Sequence, residues 1–476
     1  MTSSAVNSNQ SDIRLSAASI GARLDRLPAT KTIWKLVILL SFGYFFEFYD
    51  LLYTGYIAPG LVKGGILTTT TAGLFGSSGV ASFVAALFAG LFIGTSLCGF
   101  VTDKFGRRAI FTYSLIWYAV ANAIMAFQDT AFGLNFWRLV AGIGIGAELV
   151  VIATYMTELV PRQVRGRAFA CGQAVGFCAI PIAAYLAYLL LPLQPFGLDG
   201  WRWVVIIGCH GALFVWWVRR ALPESPRWLA GKGRLAEADQ ILGDLENKVQ
   251  AEYGQILPAP VVVEKTKTAT EVAANSAKKI ADLWRRPYRS RTLLMIVFNV
   301  FQTIGYYGFA SWVPTLLIRH GITVTSSLLY SSIIALAAPV GPLIGLLIAD
   351  KLERKQVIIA SSLCILFTGL LFSQATEMLP LICLGVCMTL ASNILSYSYH
   401  AYQAELFPTE IRARAVGFVY SWGRFAAIFT SFMIAAMLRV AGVAGVFWLI
   451  GCSMLIIALA IYLFGPNTRN VAVESI

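Results

Sequence analysis

Long runs of apolar residues recur along the whole chain and are separated by short polar loops. Each run is close to the roughly 20 residues that an α-helix needs to cross a bilayer. Runs of this length predict membrane-spanning helices rather than core segments of a soluble domain. Twelve spans are predicted, at residues 33–60, 79–102, 109–128, 132–158, 167–192, 200–221, 291–318, 326–349, 356–375, 379–405, 414–439 and 443–465.

One polar stretch, residues 222–290, is much longer than the other loops and divides the spans into two sets of six. Within it, "RLAEADQILGDLEN" has the spacing of an amphipathic surface helix. The pattern therefore predicts an all-α membrane protein. Its parts are an N-terminal tail (1–32), a first six-helix bundle (33–221), a linker (222–290), a second six-helix bundle (291–465) and a C-terminal tail (466–476).

Composition agrees with this class. The chain is 58% hydrophobic and 13% charged, whereas soluble domains contain about 25% charged residues. The polar N-terminus lacks the apolar core of a signal peptide, so we expect no cleavage there. The eight cysteines lie in apolar runs without metal-ligand or CxxC spacing, which indicates small core residues without disulfides. We expect neither a metal nor a cofactor.

Positive charge is distributed unevenly between the loops. "TDKFGRR", "PRQVRGR", "DKLERKQ" and "IRARA" alternate with loops such as "AFQDTA" and "QATEMLP", which carry almost no positive charge. Because Lys and Arg accumulate in cytoplasmic loops, both termini and the linker are predicted to be cytoplasmic. This asymmetry explains the net charge of +13, so we infer no nucleic-acid partner.

The two halves of the chain repeat each other. "DKFGRR" at 103–108 recurs as "DKLERK" at 350–355, and "TELVPRQVRGRA" at 157–168 recurs as "AELFPTEIRARA" at 404–415. Both matches have the same offset of 247 residues, which indicates an internal duplication. Two parallel six-helix repeats that rock around a central site are the plan of one large transporter fold.

Four motifs together resemble the major facilitator superfamily. They are "GFVTDKFGRR", "RLVAGIGIGAE", "TELVPRQVRGR" and "PESPRWL", and they are similar to the branch that holds sugar porters, organic-ion transporters and niacin-type permeases. The second copy of the loop motif departs from the family pattern, since Glu353 replaces its glycine and Leu346 stands where Gly99 maps. The resemblance implies two pseudo-symmetric bundles, transport rather than catalysis, and a functional monomer in a bacterial inner membrane.

The resemblance also implies a set of residues that hold the inner gate shut by charge-assisted hydrogen bonds between helix ends and between halves. The alternative is that these loops only fix the topology. The candidate gating residues are Gly99, Asp103, Gly106, Arg107, Arg108, Glu158, Arg165, Arg167, Asp350, Arg354, Glu405, Arg412 and Arg414.

Five charged residues inside the spans have no charged counterpart at the 247-residue offset, and a binding site, unlike a scaffold, need not repeat. They are Glu47, Asp50, Arg138, Glu148 and Arg424. At 1.5 Å per residue, Asp50 lies roughly 21 Å from the cytoplasmic start of its span, and Arg138 roughly 9 Å below the outer surface. In an apolar core about 30 Å thick these levels nearly coincide. The two residues are therefore predicted to pair.

Asp50 and Arg138 match the first-span acid and fourth-span arginine of proton-coupled sugar porters. The resemblance implies that protonation of Asp50 releases Arg138 and frees the helices to move; a static ion pair is the alternative. Glu47 lies one turn before Asp50 on the same face. It is predicted to contact substrate or relay the proton, or to be a hydrogen-bonded neutral acid.

Arg424 lies roughly 15 Å into the eleventh span without a nearby carboxylate in its own helix. A buried charge of this kind is a functional hypothesis by default. It resembles the eleventh-span arginine of organic-anion carriers and would bind a carboxylate in bidentate fashion; an ion pair with Glu47 or Glu148 is the alternative. Further candidates for the substrate site are Tyr53, Glu148, Gln302, Tyr306, Tyr307, Asn393, Tyr397, His400 and Trp422.

The predicted function is a proton-coupled symporter that imports a small organic anion, such as an aromatic or other monocarboxylate. Its partners would be the substrate, the proton and the lipid bilayer. A sugar or neutral-metabolite symporter is the first alternative, although the glutamine pair of sugar porters is absent from the seventh span. A non-transporting membrane sensor is the second. Nothing in the sequence supports an enzyme.

Overall fold

The computed structural model describes residues 16–68, 70–71, 73–74, 79–211, 222–260, 283–285, 288–348, 352–407 and 411–468. Within these ranges, the side chains at positions 99, 100, 103, 346, 347, 404 and 412–414 lie outside the description.

The described chain is almost entirely helical. Its helices are α1 (Ala17–Asp25), α2 (Lys31–Lys63), α3 (Val80–Phe105), α4 (Arg107–Ala126), α5 (Ala131–Leu159), α6 (Arg165–Phe177), α7 (Ala179–Leu190), α8 (Gly200–Cys209), α9 (Pro226–Gly231), α10 (Leu235–Tyr253), α11 (Tyr288–Ala310), α12 (Val313–Arg319), α13 (Val324–Ala335), α14 (Val340–Ile348), α15 (Arg354–Gln374), α16 (Met378–Glu405), α17 (Arg412–Val440) and α18 (Gly442–Phe464). A short 3₁₀ helix, Pro195–Gly197, precedes α8.

Eleven helical segments of the described chain are long and apolar enough to cross a membrane. The sixth predicted span is represented only by α8, because residues 212–221 lie outside the description. Three other spans are each built from two helices, namely α6 with α7, α11 with α12, and α13 with α14. The predicted all-α membrane fold is confirmed.

Buried apolar side chains form two large clusters. The first lies mainly within residues 20–257 and the second mainly within residues 283–461. The main contacts between the two sets of helices are those of α3 with α17 and of α7 with α13. The exact boundaries of the two bundles stay a prediction. A site between them would be flanked by these two helix pairs.

We call the side of the bundle that carries α9 and α10 the inner side; its assignment to the cytoplasm stays a prediction. On the outer side, α2 packs against α12 and the halves touch. Gly55 lies very close to the other half, since a Cβ there would collide with the backbone of Ser311. At the inner side, α6 and α14, the inner parts of their two spans, also pack against each other across the halves. Described contacts between the two halves therefore occur on both sides of the bundle.

Candidate functional site

A buried ion pair joins α2 to α5. Arg138 Nη1 lies 2.8 Å from Asp50 Oδ1, and Arg138 Nη2 donates to the Asp50 backbone carbonyl at 2.5 Å. Arg138 is 0% exposed and Asp50 is 3% exposed. Both helices are regular at this point, so the levels estimated from the sequence correspond to a direct contact. Arg138 and Asp50 neutralise each other inside the first half.

Uncharged polar side chains complete this network. Arg138 Nη1 donates to the Tyr53 hydroxyl at 2.7 Å, and Arg138 Nη2 donates to Thr54. Asn122 of α4 donates to Asp50 Oδ2 at 2.7 Å. Sequence reasoning included Tyr53 but missed Thr54 and Asn122. The available signal was weak: each is a polar residue inside an apolar run. The network holds the guanidinium in place whether or not Asp50 is charged.

Two further acids are buried beside this network. Glu47 on α2 is 2% exposed and Glu148 on α5 is 0% exposed. Neither forms an ion pair with a described residue within 4 Å. Glu47 Oε2 and both carboxylate oxygens of Glu148 are buried without a hydrogen-bond partner among the described residues. These acids are therefore not part of a static ionic lattice.

Arg424 occupies the facing helix α17 in the second half. It is 6% exposed and donates to the Tyr307 hydroxyl at 2.8 Å and to the Tyr420 hydroxyl at 2.5 Å. Its Nε is buried without a partner among the described residues. Its guanidinium carbon lies 4.9 Å from the centre of the Tyr420 ring. No described carboxylate lies within 4 Å of it, although Glu47 is within electrostatic reach. A buried cation whose described hydrogen-bond partners are two phenols is suited to bind an anion.

The Arg424 site reaches the interface between the halves through Tyr307, which packs against Phe88 of α3 with ring centres 4.6 Å apart. Tyr306 packs edge-on against Tyr307 and lines a neighbouring cavity. Asn393 of α16 lines the same cavity, and its side-chain oxygen is buried without a described partner. The cavity lies between helices of both halves, and it also contacts Leu52, Tyr56, Ile180, Phe309, Ser331, Ala335, Thr389 and Ser392.

The other predicted site residues are placed in different surroundings. The ring of His400 is exposed and lies 5.8 Å from the ring of Tyr420, beside Arg424. Gln302 is partly buried on α11, and Tyr397 packs against Gly345 of α14. Trp422 is partly exposed and contacts Phe418 and Phe425 of its own helix. None of these contacts places Trp422 beside Arg424.

The repeated loop motif forms equivalent ion pairs in the two halves. Arg107 lies 2.9 Å from Glu158 in the first half, and Arg354 lies 2.9 Å from Glu405 in the second. The two pairs are related by the 247-residue offset found in the sequence. Both bridge helix ends within one half, as predicted for the loop motif. Among the described residues, neither Glu158 nor Glu405 clips the two halves together in this conformation, contrary to the prediction for these two residues. The reason is that each glutamate ends a helix packed beside the one that its arginine begins.

The PESPR segment holds the first copy of the loop motif in place through Glu224. The Glu224 carboxylate accepts hydrogen bonds from the backbone N–H groups of Arg107 and Arg108, which begin α4. Gly106 has a φ of 94°, and a Cβ there would collide with Glu224. In the second copy, Glu353 instead accepts from the backbone of Thr468, in the C-terminal tail. Where Glu353 replaces the family glycine, the second copy of the motif therefore contacts the C-terminal tail instead of a PESPR-type glutamate.

The structure describes the side chains of only some of the remaining gating candidates. Arg165 lies 3.5 Å from Asp25, which follows from the packing of the N-terminal α1 near the start of α6. Arg167 is exposed. Gly99 and Asp103 lie on α3 and Arg412 and Arg414 begin α17, but their side chains are outside the description, as is Asp350 entirely. A gating role for these residues stays a prediction.

Comparison with known proteins decides the family. The sequence model described as "Sugar (and other) transporter" matches residues 36–476. This chain is a member of that family. It also resembles the inner membrane metabolite transport protein YdjE of Escherichia coli, with 32% identity over 468 residues that cover 96% of this chain and 98% of YdjE. The transporter is accordingly a multi-pass membrane protein of the major facilitator superfamily that carries a sugar or another metabolite, and it is not an enzyme.

Two further comparisons concern a more distant relative and a solved structure. The niacin transporter NiaP of Acinetobacter baylyi is 26% identical to the transporter over 457 residues, which cover 96% of this chain and 99% of NiaP. The xylose transporter XylE from E. coli, in a partially occluded inward-open conformation, matches its fold with a TM-score of 0.72. That match covers 93% of this chain and all of XylE at 19% identity, so it concerns the fold alone.

Proposed function

We propose that the transporter imports a small organic monocarboxylate together with protons. The observation that carries the proposal is Arg424, a buried guanidinium that faces the interface between the halves with two phenols and no described carboxylate as partners. A carboxylate of the substrate would supply the missing anion in bidentate geometry. The similarity to a niacin transporter supports this class, because niacin is itself an aromatic carboxylate.

The body of the substrate would lie in the neighbouring cavity. Its wall is largely apolar and aromatic, with Tyr56, Tyr306 and Phe309 as its large side chains. Such walls suit a compact ring, while a few polar groups fix its orientation. Asn393 offers an acceptor for a hydroxyl or amine donor of the substrate.

Proton coupling would use Asp50 and Arg138. Protonation of Asp50 removes its charge attraction to Arg138, while the hydrogen bonds of Arg138 to Tyr53 and Thr54 remain available. A two-state packing of the helices could then be biased by one proton. Carboxylate binding at Arg424 and proton binding at Asp50 would occur in opposite halves, so that each half carries one of the two transported species.

A neutral sugar or polyol is the second candidate. The cavity also carries Ser331, Thr389, Ser392 and Asn393, and hydroxyl and amide groups of this kind recognise neutral hydroxyl groups. In that case Arg424 would be structural, held by its two tyrosines. The two candidates make opposite predictions for the effect of charge on the ligand.

The test is a cycle over protein and ligand with nicotinate and nicotinamide as probes. A hydrogen bond to a charged group contributes about 1.5–3 kcal/mol, so Arg424→Gln should weaken nicotinate binding about tenfold to a hundredfold. Nicotinamide should bind the unmodified transporter poorly, and Arg424→Gln should weaken its binding little further. Arg424→Lys should rescue only partly, since an ammonium lacks the planar fork. Arg439→Gln, on an exposed residue of the same helix, is the control.

A screen of benzoate, short hydroxy acids and xylose by thermal stabilisation would accompany the cycle and cover other ligands of either class. Equal losses for acids and neutral ligands in Arg424→Gln would make the arginine structural. Stabilisation by xylose but by no acid would favour the sugar.

A further inference from the structure

Glu148 lies in surroundings that do not suit an ionised carboxylate. It is 0% exposed, and both of its carboxylate oxygens are buried without a hydrogen-bond partner among the described residues. No described Lys or Arg lies within 4 Å of it. Burying a charge in this way is strongly unfavourable unless it is paired and hydrogen-bonded. These surroundings therefore favour the neutral, protonated form of Glu148 over the ionised one.

Among the described residues, the helices around Glu148 supply acids and a phenol but no unpaired cation. Across α2 the neighbouring charged groups are Glu47 and Asp50, and across α4 the neighbouring group is Tyr118. The Tyr118 hydroxyl is also buried without a hydrogen-bond partner among the described residues. Arg138, on the same helix, is occupied by Asp50. Among the described residues of α3 and α6, no titratable group interacts with Glu148. An ionised Glu148 would add a third acidic charge beside Glu47 and Asp50, of which only Asp50 has an arginine partner among the described residues.

Glu148 lies on the inner side of the Asp50–Arg138 ion pair. It follows Arg138 by ten residues on α5, which places it roughly 15 Å closer to the inner side. Its carboxylate approaches α2 at Gly43, one turn before Glu47, and a Cβ at Gly43 would lie 3.2 Å from Glu148 Oε1. Measured by its level along α2, Glu148 of α5 lies nearest the inner side, Glu47 lies next, and Asp50 lies farthest out.

We propose that Glu148 is a second proton-binding residue and that, with Tyr118 and Glu47, it forms the path by which a proton leaves Asp50 toward the inner side. The second part rests on the proposed function, because it assumes that Asp50 releases a proton. The first part does not. Once Glu148 has released the proton it holds to the inner side, Asp50 gives its proton to Glu47 and pairs again with Arg138, and Glu47 passes a proton on to Glu148. Each O–H bond that forms thus replaces one that breaks. Tyr118 interacts with Glu148 across α4, and its hydroxyl would orient the Glu148 carboxyl by donating to it.

The first experiment measures protonation directly and needs no substrate. Infrared difference spectra of the full chain in lipid nanodiscs would be recorded as the pH is stepped. A protonated carboxylic acid has a characteristic C=O stretching band, and we expect one such band to be absent from Glu148→Gln. Glu158→Gln is the matched control on the same helix, because Glu158 is paired with Arg107 and its loss should remove no band. An unchanged band in folded Glu148→Gln overturns the assignment.

A second variant keeps the assignment testable if Glu148→Gln does not fold. Tyr118→Phe removes one hydroxyl and leaves the ring, and it should shift the frequency of the Glu148 band without removing it. Absence of any shift would contradict the placement of Tyr118 beside the protonated acid.

The path is tested by following Asp50 after a pH jump, with its own band identified from Asp50→Asn. In Glu148→Gln, the Asp50 band should decay about a hundredfold more slowly, the lower range of what a positioned proton acceptor contributes. An unchanged decay would refute the path while leaving Glu148 as a proton site. If Asp50 shows no protonated band at any pH, the proposed switch fails, and the Glu148 band still decides the first part.

Discussion

Replacing Asp50 by Asn separates the charge of the ion pair from its shape. The asparagine oxygen can still accept from Arg138 Nη1, and the Asp50 backbone carbonyl, Tyr53 and Thr54 keep their bonds to the guanidinium. The substitution also places an amide opposite the Asn122 amide, which now donates to Asp50 Oδ2. The variant mimics the protonated acid and should therefore hold the switch in one state.

The expected destabilisation follows from these contacts. Removing one partner of a buried ion pair costs about 3–5 kcal/mol. Because most hydrogen bonds of Arg138 survive, the loss is smaller: one charged bond becomes neutral and one donor loses its acceptor, about 2–4 kcal/mol in total. The matched control is Asp129→Asn. Asp129 also pairs with an arginine, Arg202, at 2.5 Å, but is 82% exposed, and such surface pairs contribute about 0–1 kcal/mol.

Two measurements check this prediction. Apparent unfolding free energies in mixed micelles should fall much more for Asp50→Asn than for Asp129→Asn. In liposomes, Asp50→Asn should retain exchange of labelled for unlabelled nicotinate but lose accumulation driven by a pH gradient. Equal destabilisation by the two substitutions would contradict the energetic argument. A variant that still concentrates nicotinate would contradict the switch.

Two further predictions concern the outer contact and the N-terminal helix. Gly55→Ala would place a Cβ against the backbone of Ser311, so spin-label distances across the outer side should show a new population with separated halves. Glu246 accepts from Arg23 of α1 and from Arg26, the residue directly after α1, with its closest contacts at 2.7 Å. Because these groups are partly exposed, Glu246→Gln should lower the hydrogen-exchange protection of α1 about tenfold, which corresponds to the lower end of the free energy of a charged hydrogen bond.

Each of these has a matched control in the chain. At Gly417 a Cβ would meet nothing within 4 Å, so Gly417→Ala should leave the distances unchanged, and an equal effect of both alanines would refute the outer-contact argument. Glu237 lies on the same helix as Glu246 but pairs only with Arg234, among the described residues, at the surface. If Glu237→Gln loosened α1 as much as Glu246→Gln, the ionic contacts would not be what holds α1.

Regular helices made part of the site predictable. Asp50 and Arg138 could be placed at one level because the rise per residue is constant within α2 and α5. The same regularity argues against Trp422 as a neighbour of the Arg424 ligand, because two residues along a helix rotate a side chain by about 200°. The repeat was equally informative, since Arg107–Glu158 and Arg354–Glu405 are the same pair at an offset of 247 residues.

Other features depend on information that a linear pattern does not carry. The breaks that divide three spans into two helices fall inside apolar runs, where hydrophobicity gives no boundary. The partners Asn122, Tyr307 and Tyr420 depend on how each helix is rotated against its neighbours. The alternative ion pair between Arg424 and Glu47 is not formed in the described structure. The conformational state depends on contacts such as Gly55 against Ser311. A transporter has the same sequence in every conformational state, so the sequence does not identify the state.

Proton-coupled uptake of a carboxylate is tested most directly with the purified transporter in liposomes that contain a pH-sensitive dye. An inward proton gradient should drive accumulation of labelled nicotinate above its external concentration, and adding nicotinate without a gradient should acidify the lumen beyond the change in protein-free liposomes. Nicotinamide should do neither. Nicotinate uptake that ignores the gradient and moves no protons, or equal uptake of the amide, would contradict the account.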